Sequence, residues 1–205
     1  CEIMKDDGTM ARLPDLEIFA REHGLKIGTI ADLIGYRSRN ESLIERAGTR
    51  RLRTPHGDFD CVAYRDHGGG EHLALTHGRW GADDEVPVRV HEPLTVLDLL
   101  DADGERHSWP LPQALVQLRA GERGVAVLLN VGRGDDPLLP QLLGRDGAAA
   151  AVPGQRQIDL RTYGIGAQIL RDLGVTRMRL LGSPRRMPSM AGFGLEVAGF
   201  ESPET

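Results

Sequence analysis

Two groups of side chains in this sequence have the types and spacing for chemistry: scattered arginines, and a crowded stretch of acids and histidines. Arg133, Arg161, Arg185 and Arg186 offer fixed positive charge and forked donors. An Arg185–Arg186 pair is equally the composition of a solvated surface. Asp159-Leu160-Arg161 places an acid two residues before one of these arginines. Asp159 is also suited to capping a helix that opens at Leu160, accepting from backbone N–H groups near Thr162. His91, Asp98, Asp101, Asp103 and His107 share one stretch and supply donors for a divalent metal. Asp101-Ala102-Asp103-Gly104 opens like a calcium loop, but the later ligands and the closing Glu are absent. A solvated acidic turn is the plainer reading. The two cysteines, Cys1 and Cys61, make neither a disulfide framework nor a Cys-x-x-Cys knuckle.

These residues must be positioned by elements with legible patterns. Leu13, Leu16, Phe19 and Ala20 have helical spacing, with Pro14 fit for a first turn and Gly24 for a stop. A β-branched run at Lys26–Ile30 precedes a second helical pattern that opens at Thr29 or Asp32 and runs through Leu33, Ile34 and Tyr36. Arg37–Arg51 is charged and helix-permissive, so a connector is expected there. Strand-like runs at Arg51–Thr54 and Asp58–Arg65 flank the turn Pro55-His56-Gly57. Gly68-Gly69-Gly70 leads into a strand at Glu71–Thr76, and Val86–Val90 is another, ending at His91. Leu111–Leu118 reads as a helix closed by Gly121 and Gly124. Val125–Leu129 is a continuous apolar run, the mark of a strand covered on both faces. After low-complexity Ala148–Ala151 comes a helix at Leu160–Leu173, with Tyr163, Ala167, Leu170 and Leu173 as its buried stripe, then a strand at Arg177–Leu181. This alternation predicts an α/β domain.

The 205 residues carry 25 Lys+Arg against 30 Asp+Glu, a net charge of −5, without the basic balance of a nucleic-acid-binding domain. No apolar run approaches the roughly 20 residues that span a bilayer. The opening CEIMKDDGTM lacks a basic n-region followed by an apolar h-region, so a cytoplasmic protein is expected, with no nucleic-acid or membrane partner. The chain does not open like a natural start and reads as the tail of something longer. No exposed apolar stripe is evident, and 4% aromatics leave few anchors for an interface.

Residues 1–36, CEIMKDDGTMARLPDLEIFAREHGLKIGTIADLI and the two that follow, resemble the C-terminal end of 3,4-dihydroxy-2-butanone 4-phosphate synthase. That resemblance implies a site role for Glu2 alone. The family's acidic metal motif and catalytic His lie upstream of this stretch, so magnesium or manganese is implied for the parent synthase domain and no cofactor for this chain.

Four further segments resemble GTP cyclohydrolase II: TPHGDFDCVAYRD at 54–66, EHLALTHG at 71–78, VRVHEPLT at 88–95 and DLRTYGIGAQILRDLGVTRMRLL at 159–181. The implied organisation is a synthase remnant at 1–36, a connector at 37–50, a cyclohydrolase II-like domain at 51–200 and a tail at 201–205. The implied fold is an α/β mixed sheet with flanking helices, preceded by a short helical remnant. That family opens the guanine imidazole ring with a zinc-bound hydroxide and holds zinc with three cysteines, one just after the Arg-Val-His block and two in a Cys-x-Cys pair beyond it. Here the first position falls at Pro93, and the region LDLLDADGERHSWP has no cysteine. Thiolates are soft anionic zinc donors, and proline offers no side-chain ligand. Cys61 lies inside a matching strand block and reads as a small buried hydrophobe.

The family's phosphate loop, Tyr then Arg-Gln-Glu-Gly-Arg, is replaced by Leu129-Asn130-Val131-Gly132-Arg133-Gly134-Asp135-Asp136. Its Thr-Asn-Asn-Pro-x-Lys segment has become Gly182-Ser183-Pro184-Arg185-Arg186. Asp159 and Arg161 persist as vestigial catalytic positions, and the resemblance implies a homodimer. Three readings follow: a degenerate domain serving an attached synthase; an active cyclohydrolase with ligands drawn from His91, Asp98, Asp101, Asp103 and His107; and a module holding GTP or another nucleotide through Arg133, Arg161, Arg185 and Arg186 without turnover. Loss of all three thiolates together with the Gln-Glu-Gly segment favours the first.

Overall fold

The computed structural model describes residues 2–92, 108–131, 160–184, 187 and 190–203. The first residues form a small turn closed by a Met4–Met10 bridge. Helix α1, Leu13–Glu22, follows with Pro in its first turn, and α2 is Ile30–Asn40. Thr29 caps α2: its hydroxyl accepts from the Asp32 N–H at 3.0 Å, and the Asp32 carboxylate accepts from the Thr29 N–H at 3.2 Å. The β-branched run before α2 forms no strand; Leu25–Thr29 is irregular.

Seven strands then build one sheet: β1 Ile44–Thr54, β2 Gly57–Asp66, β3 Glu71–His77, β4 Glu85–His91, β5 Gly124–Leu128, β6 Arg177–Leu181 and β7 Glu196–Glu201. Their spatial order is β1-β2-β3-β5-β4-β6-β7. The first half is antiparallel, from β1 through β3 to β5, and the second half, β5-β4-β6-β7, is parallel. Helix α3, Leu111–Ala120, connects β4 to β5, and α4, Leu160–Asp172, connects β5 to β6. A 3-10 turn at Ala191–Phe193 leads into β7. The mixed sheet with flanking helices is the architecture expected above.

The β5 residues show how the layers separate. Val125 and Val127 point to a core shared with Ile165, Ile169 and Phe193, while Ala126 and Leu128 point to a second core with Trp109, Leu115 and Leu118. Helices therefore cover both faces, which is why β5 reads as an unbroken apolar run. At the other end of β5, Gly78 takes φ +77°, and a Cβ there would stand 2.0 Å from the Glu122 carbonyl oxygen. Helix α4 is buried almost all round from Thr162 to Leu170, more fully than a one-sided stripe. Ala167 and Leu170 are buried as expected, while Tyr163 and Leu173 are half-buried at the margin of the core. Asp172 at its end accepts from the Tyr64 hydroxyl and from Arg46 Nε, each at 2.6 Å, tying α4 to β2 and β1.

Two expectations are refined, and one strand is added to those expected. In the stretch 37–50, expected as a connector, Arg37–Asn40 complete α2 and Ile44 onward is β1, whose residues Glu45–Arg51 are all exposed and so show no apolar alternation. Strand β7 escaped notice because Gly199 interrupts its apolar pattern and it sits at the opposite edge of the sheet. An exposed apolar surface does exist: of nine large hydrophobics exposed among the described residues, eight lie between Met4 and Tyr36, the exception being Val116. Among the described residues no helix is long and apolar enough to cross a membrane.

A buried polar network at the carboxyl edge of the parallel strands

In a sheet of this kind, residues just beyond the carboxyl ends of parallel strands are the ones free to face a ligand. Here Glu92 follows β4, Asn130 and Val131 follow β5, and Gly182–Pro184 follow β6. The antiparallel arrangement of β2 and β3 brings Asp66 and His72 to the same edge.

Asp66 closes β2, and the glycine triplet folds around its carboxylate. Its Oδ1 accepts from Gly68 N–H at 2.5 Å and Gly70 N–H at 3.0 Å, while Oδ2 faces His72 Nε2 at 3.4 Å. A Cβ on Gly70 would stand 2.7 Å from Asp66 Oδ2 and 3.3 Å from Asn130 Oδ1, so only glycine lets the loop close this tightly. Burial resists the Asp66 charge, but the Gly70 and Gly68 N–H groups and the His72 ring together hold its carboxyl below the usual range.

His72 has 0% of its surface exposed. Its Nδ1 accepts from the Asn130 backbone N–H at 3.1 Å, which leaves Nε2 as the protonated nitrogen facing Asp66. Asn130 has φ 56°, a left-handed conformation that asparagine tolerates better than other side-chain-bearing residues. Its Nδ2 donates to Glu92 Oε1 at 2.5 Å, so the ends of β4 and β5 are joined across the edge.

Arg89 and His91 form the other half of the network. The Arg89 guanidinium, only 6% exposed, donates from Nη1 to the Leu181 carbonyl at 2.9 Å and from Nη2 to the Trp109 carbonyl at 2.8 Å. Nη2 also faces His91 Nδ1 at 3.4 Å, and since arginine is only a donor, Nδ1 is the acceptor. This one side chain links β4 to the end of β6 and to the entry of α3. Trp109 in turn donates from Nε1 to the Glu201 carbonyl at 2.7 Å, extending the tie to β7.

Of the residues singled out from sequence, His91 lies in this network. Val131 and Pro184 are the described residues nearest before Arg133 and Arg185, and both stand beyond the carboxyl edge. Arg133, Arg185, Arg186, Asp98, Asp101, Asp103, His107, Asp159 and Pro93 lie outside the described residues, and for Arg161 only its backbone in the first turn of α4 is described. Glu2 is exposed at the head of the N-terminal turn and takes no part in the network. Asp66, His72, Arg89, Glu92 and Asn130 were missed. For Asp66 and His72 alone a signal was present, in the spacing Asp66-His67-Gly68-Gly69-Gly70-Glu71-His72, an acid and an imidazole on either side of a glycine turn.

Zinc is the metal implied by the resemblance, and the donors described do not fit it. Cys61 is 6% exposed and packs within the α3-side core beside Phe59 and Leu75; burial pushes its thiol up, away from the thiolate that zinc needs. His91 Nδ1 looks at a guanidinium, a neighbour that repels a second cation. Among the described residues no group of three His, Cys, Asp or Glu side chains is arranged to hold a metal.

Comparisons with known proteins agree with the fold. Residues 45–202 match the family model for GTP cyclohydrolase II, and residues 1–36 match that for 3,4-dihydroxy-2-butanone 4-phosphate synthase. A Neisseria meningitidis serogroup B protein named 3,4-dihydroxy-2-butanone 4-phosphate synthase is 51% identical over 205 residues, all of this chain and 55% of that protein. The riboflavin biosynthesis protein RibBA of Aquifex aeolicus is 44% identical over 207 residues, 96% of this chain and 51% of that protein. A crystal structure of RibBX, described as a two domain 3,4-dihydroxy-2-butanone 4-phosphate synthase from A. baumannii, superposes with a TM-score of 0.52 at 38% identity, covering 99% of this chain and 53% of that one. The chain thus spans about half the length of these relatives. With a mixed seven-stranded sheet and a family match over most of its length, the chain belongs to the GTP cyclohydrolase II family of riboflavin biosynthesis, preceded by a segment of the synthase family.

Proposed function

We propose that this cyclohydrolase II-like domain has given up zinc and GTP ring opening, and that it serves as a structural or regulatory appendage to a 3,4-dihydroxy-2-butanone 4-phosphate synthase half. The observation that carries this reading is the thiol inventory. The chain holds two cysteines, and Cys61 is sealed in the α3-side core. Cys1 stands far upstream of Arg89-Val90-His91, and one thiol cannot replace three thiolates.

The magnitude at stake supports this reading. A catalytic zinc lowers the pKa of bound water from 15.7 to about 7, and a single arginine cannot recover that. The carboxyl edge instead invests its polar groups in one another. Asp66, His72, Asn130 and Glu92 are spent on mutual hydrogen bonds, and Arg89 on two carbonyls. In this reading magnesium or manganese belongs to the synthase half, the protein works as a cytoplasmic homodimer, and the vestigial Asp159 and Arg161 serve the helix.

Turnover of GTP by the purified chain with added Zn²⁺ and Mg²⁺ tests this. The expected result is no diaminopyrimidine product above the enzyme-free control. Formation of that product would overturn the reading and redirect attention to His91, Asp98, Asp101, Asp103 and His107. Titration with GTP separates a silent domain from one that holds a nucleotide through Arg133, Arg161, Arg185 and Arg186.

A further inference from the structure

The two neighbours of the buried His72 ring hold it in one protonation state. The Asn130 backbone N–H points at Nδ1 from 3.1 Å, which requires that Nδ1 carry no proton. Nε2 faces the Asp66 carboxylate at 3.4 Å and holds the ring's single proton. A second proton has one place to go, Nδ1, and the Asn130 N–H already occupies that lone pair. Charging His72 and keeping the Asn130 bond therefore exclude one another.

That bond holds a turn which needs holding. Asn130, at φ 56°, is the only non-glycine with a positive φ among the described residues. A side-chain-bearing residue persists in that region where its surroundings fix it. Asn130 is fixed by its N–H to His72 and by its side chain to Glu92 Oε1, so one residue joins β3 to the ends of β5 and β4. Val131 continues the tie, donating from its N–H to the Glu71 carbonyl at 3.0 Å.

The charged and titratable side chains described around the ring come from three elements. On β2, Tyr64 pairs with His72 in register, and Asp66 lies diagonally across. Burial pushes the Tyr64 hydroxyl up, as does its bond to Asp172 of α4, so it stays neutral. The Asp66 carboxyl is held below its usual range, so it stays ionised as pH falls through the ordinary histidine range near about 6.5. Glu92 of the β4 end meets the Asn130 amide. Within β3, Glu71 points to the opposite face and pairs with Arg65 at 3.6 Å.

We propose that His72 is a proton-operated latch: neutral, it fastens the left-handed turn at Asn130 and with it the bridge to Glu92; charged, it pairs with Asp66 and lets that turn go. The proton comes from solvent and binds at Nδ1. Each state has its partner, the Asn130 N–H in one and the ionised Asp66 in the other, which is what makes the element two-state. The carboxyl edge of the parallel strands thus responds to mild acid while the two apolar cores do not. Loss of ring opening plays no part in the latch.

NMR of the 205-residue chain tests it, with the ring nitrogens and backbone amides followed from about pH 8 to about pH 5. At the upper end the ring is expected as the Nε2–H tautomer. As pH falls, Nδ1 is expected to gain its proton and the Asn130 amide signal to move with the same midpoint. The protection of that amide, corrected for the intrinsic exchange rate, is expected to fall about ten-fold or more while Val127 and Ile169 keep theirs. A ring that gains its proton with the Asn130 amide unmoved would overturn the latch. So would a ring that stays neutral until Val127 and Ile169 lose protection too. His72→Asn sets an amide oxygen near the place of Nδ1 and cannot titrate; it is expected to abolish the pH step at Asn130, and a step with the parent midpoint would contradict the assignment. Asn130→Gly keeps the N–H and the turn but deletes the arm to Glu92. It is expected to keep the His72 step and erase the accompanying shift of the Glu92 amide; a surviving shift would remove the bridge from the latch. The titration of the parent chain decides the matter even where a variant fails to fold. None of these readouts follows GTP turnover, so ring opening would sink the functional reading and leave the latch standing.

Discussion

The sheet domain and the first 36 residues obey opposite rules. In the sheet domain apolar residues are inside and the buried polar groups at the carboxyl edge satisfy one another, as Arg89 does with two carbonyls and Asp66 with two N–H groups. In the N-terminal segment α2 is well capped, yet large apolar side chains face water. The difference teaches that local signals alone can form a helix, whereas burial needs the partner surface to be present. One region closes on itself; the other leaves its large apolar side chains in water.

That contrast can be broken or sharpened by substitution. The largest effect is expected for Ile169→Ala in α4, where a side chain 0% exposed is truncated: about 2–5 kcal/mol lost in urea unfolding of this chain. Arg89→Met removes one donor from each of two buried carbonyls and is expected to cost about 1–3 kcal/mol, with the Trp109 fluorescence reporting a loosened entry to α3. A comparable or smaller loss, about 1–3 kcal/mol, is expected for Gly70→Ala, because the added methyl would meet Asp66 Oδ2 at 2.7 Å. Ile30→Ala, at 76% exposure, is expected to change stability by less than about 0.5 kcal/mol in this chain. A loss of several kcal/mol from Ile30→Ala would show that the N-terminal segment is packed after all.

Acid tests the edge network separately. The folded-state pKa of Asp66 lies below its ordinary value of 3.8, so its contribution is complete above that value and disappears as pH falls through the lowered one. Asp66→Asn is therefore expected to lower stability at neutral pH and to flatten its decline in strong acid, read from urea midpoints across pH. An acid decline as steep as in the parent chain would remove Asp66 from the account.

How much of this was legible in advance depended on whether a signal was local. Leu13–Glu22, Glu71–His77 and Arg177–Leu181 were readable because each has its own period or cap. Of the edge strand β1 only the end, Arg51–Thr54, was readable, since Glu45–Arg51 are all exposed and carry no apolar alternation. The network at the carboxyl edge was also hidden, because His72 and Asn130 are 58 residues apart and meet only when β3 pairs with β5. Cys61 was read correctly as a buried hydrophobe from its place in a strand block, and that reading carries the functional conclusion.

The most direct test of that conclusion is the zinc content of the chain purified without chelators, measured by elemental analysis beside formate release from GTP. The account predicts zinc far below one per chain and no formate above background. Zinc near one per chain together with formate release would contradict it and restore this domain to the working cyclohydrolases.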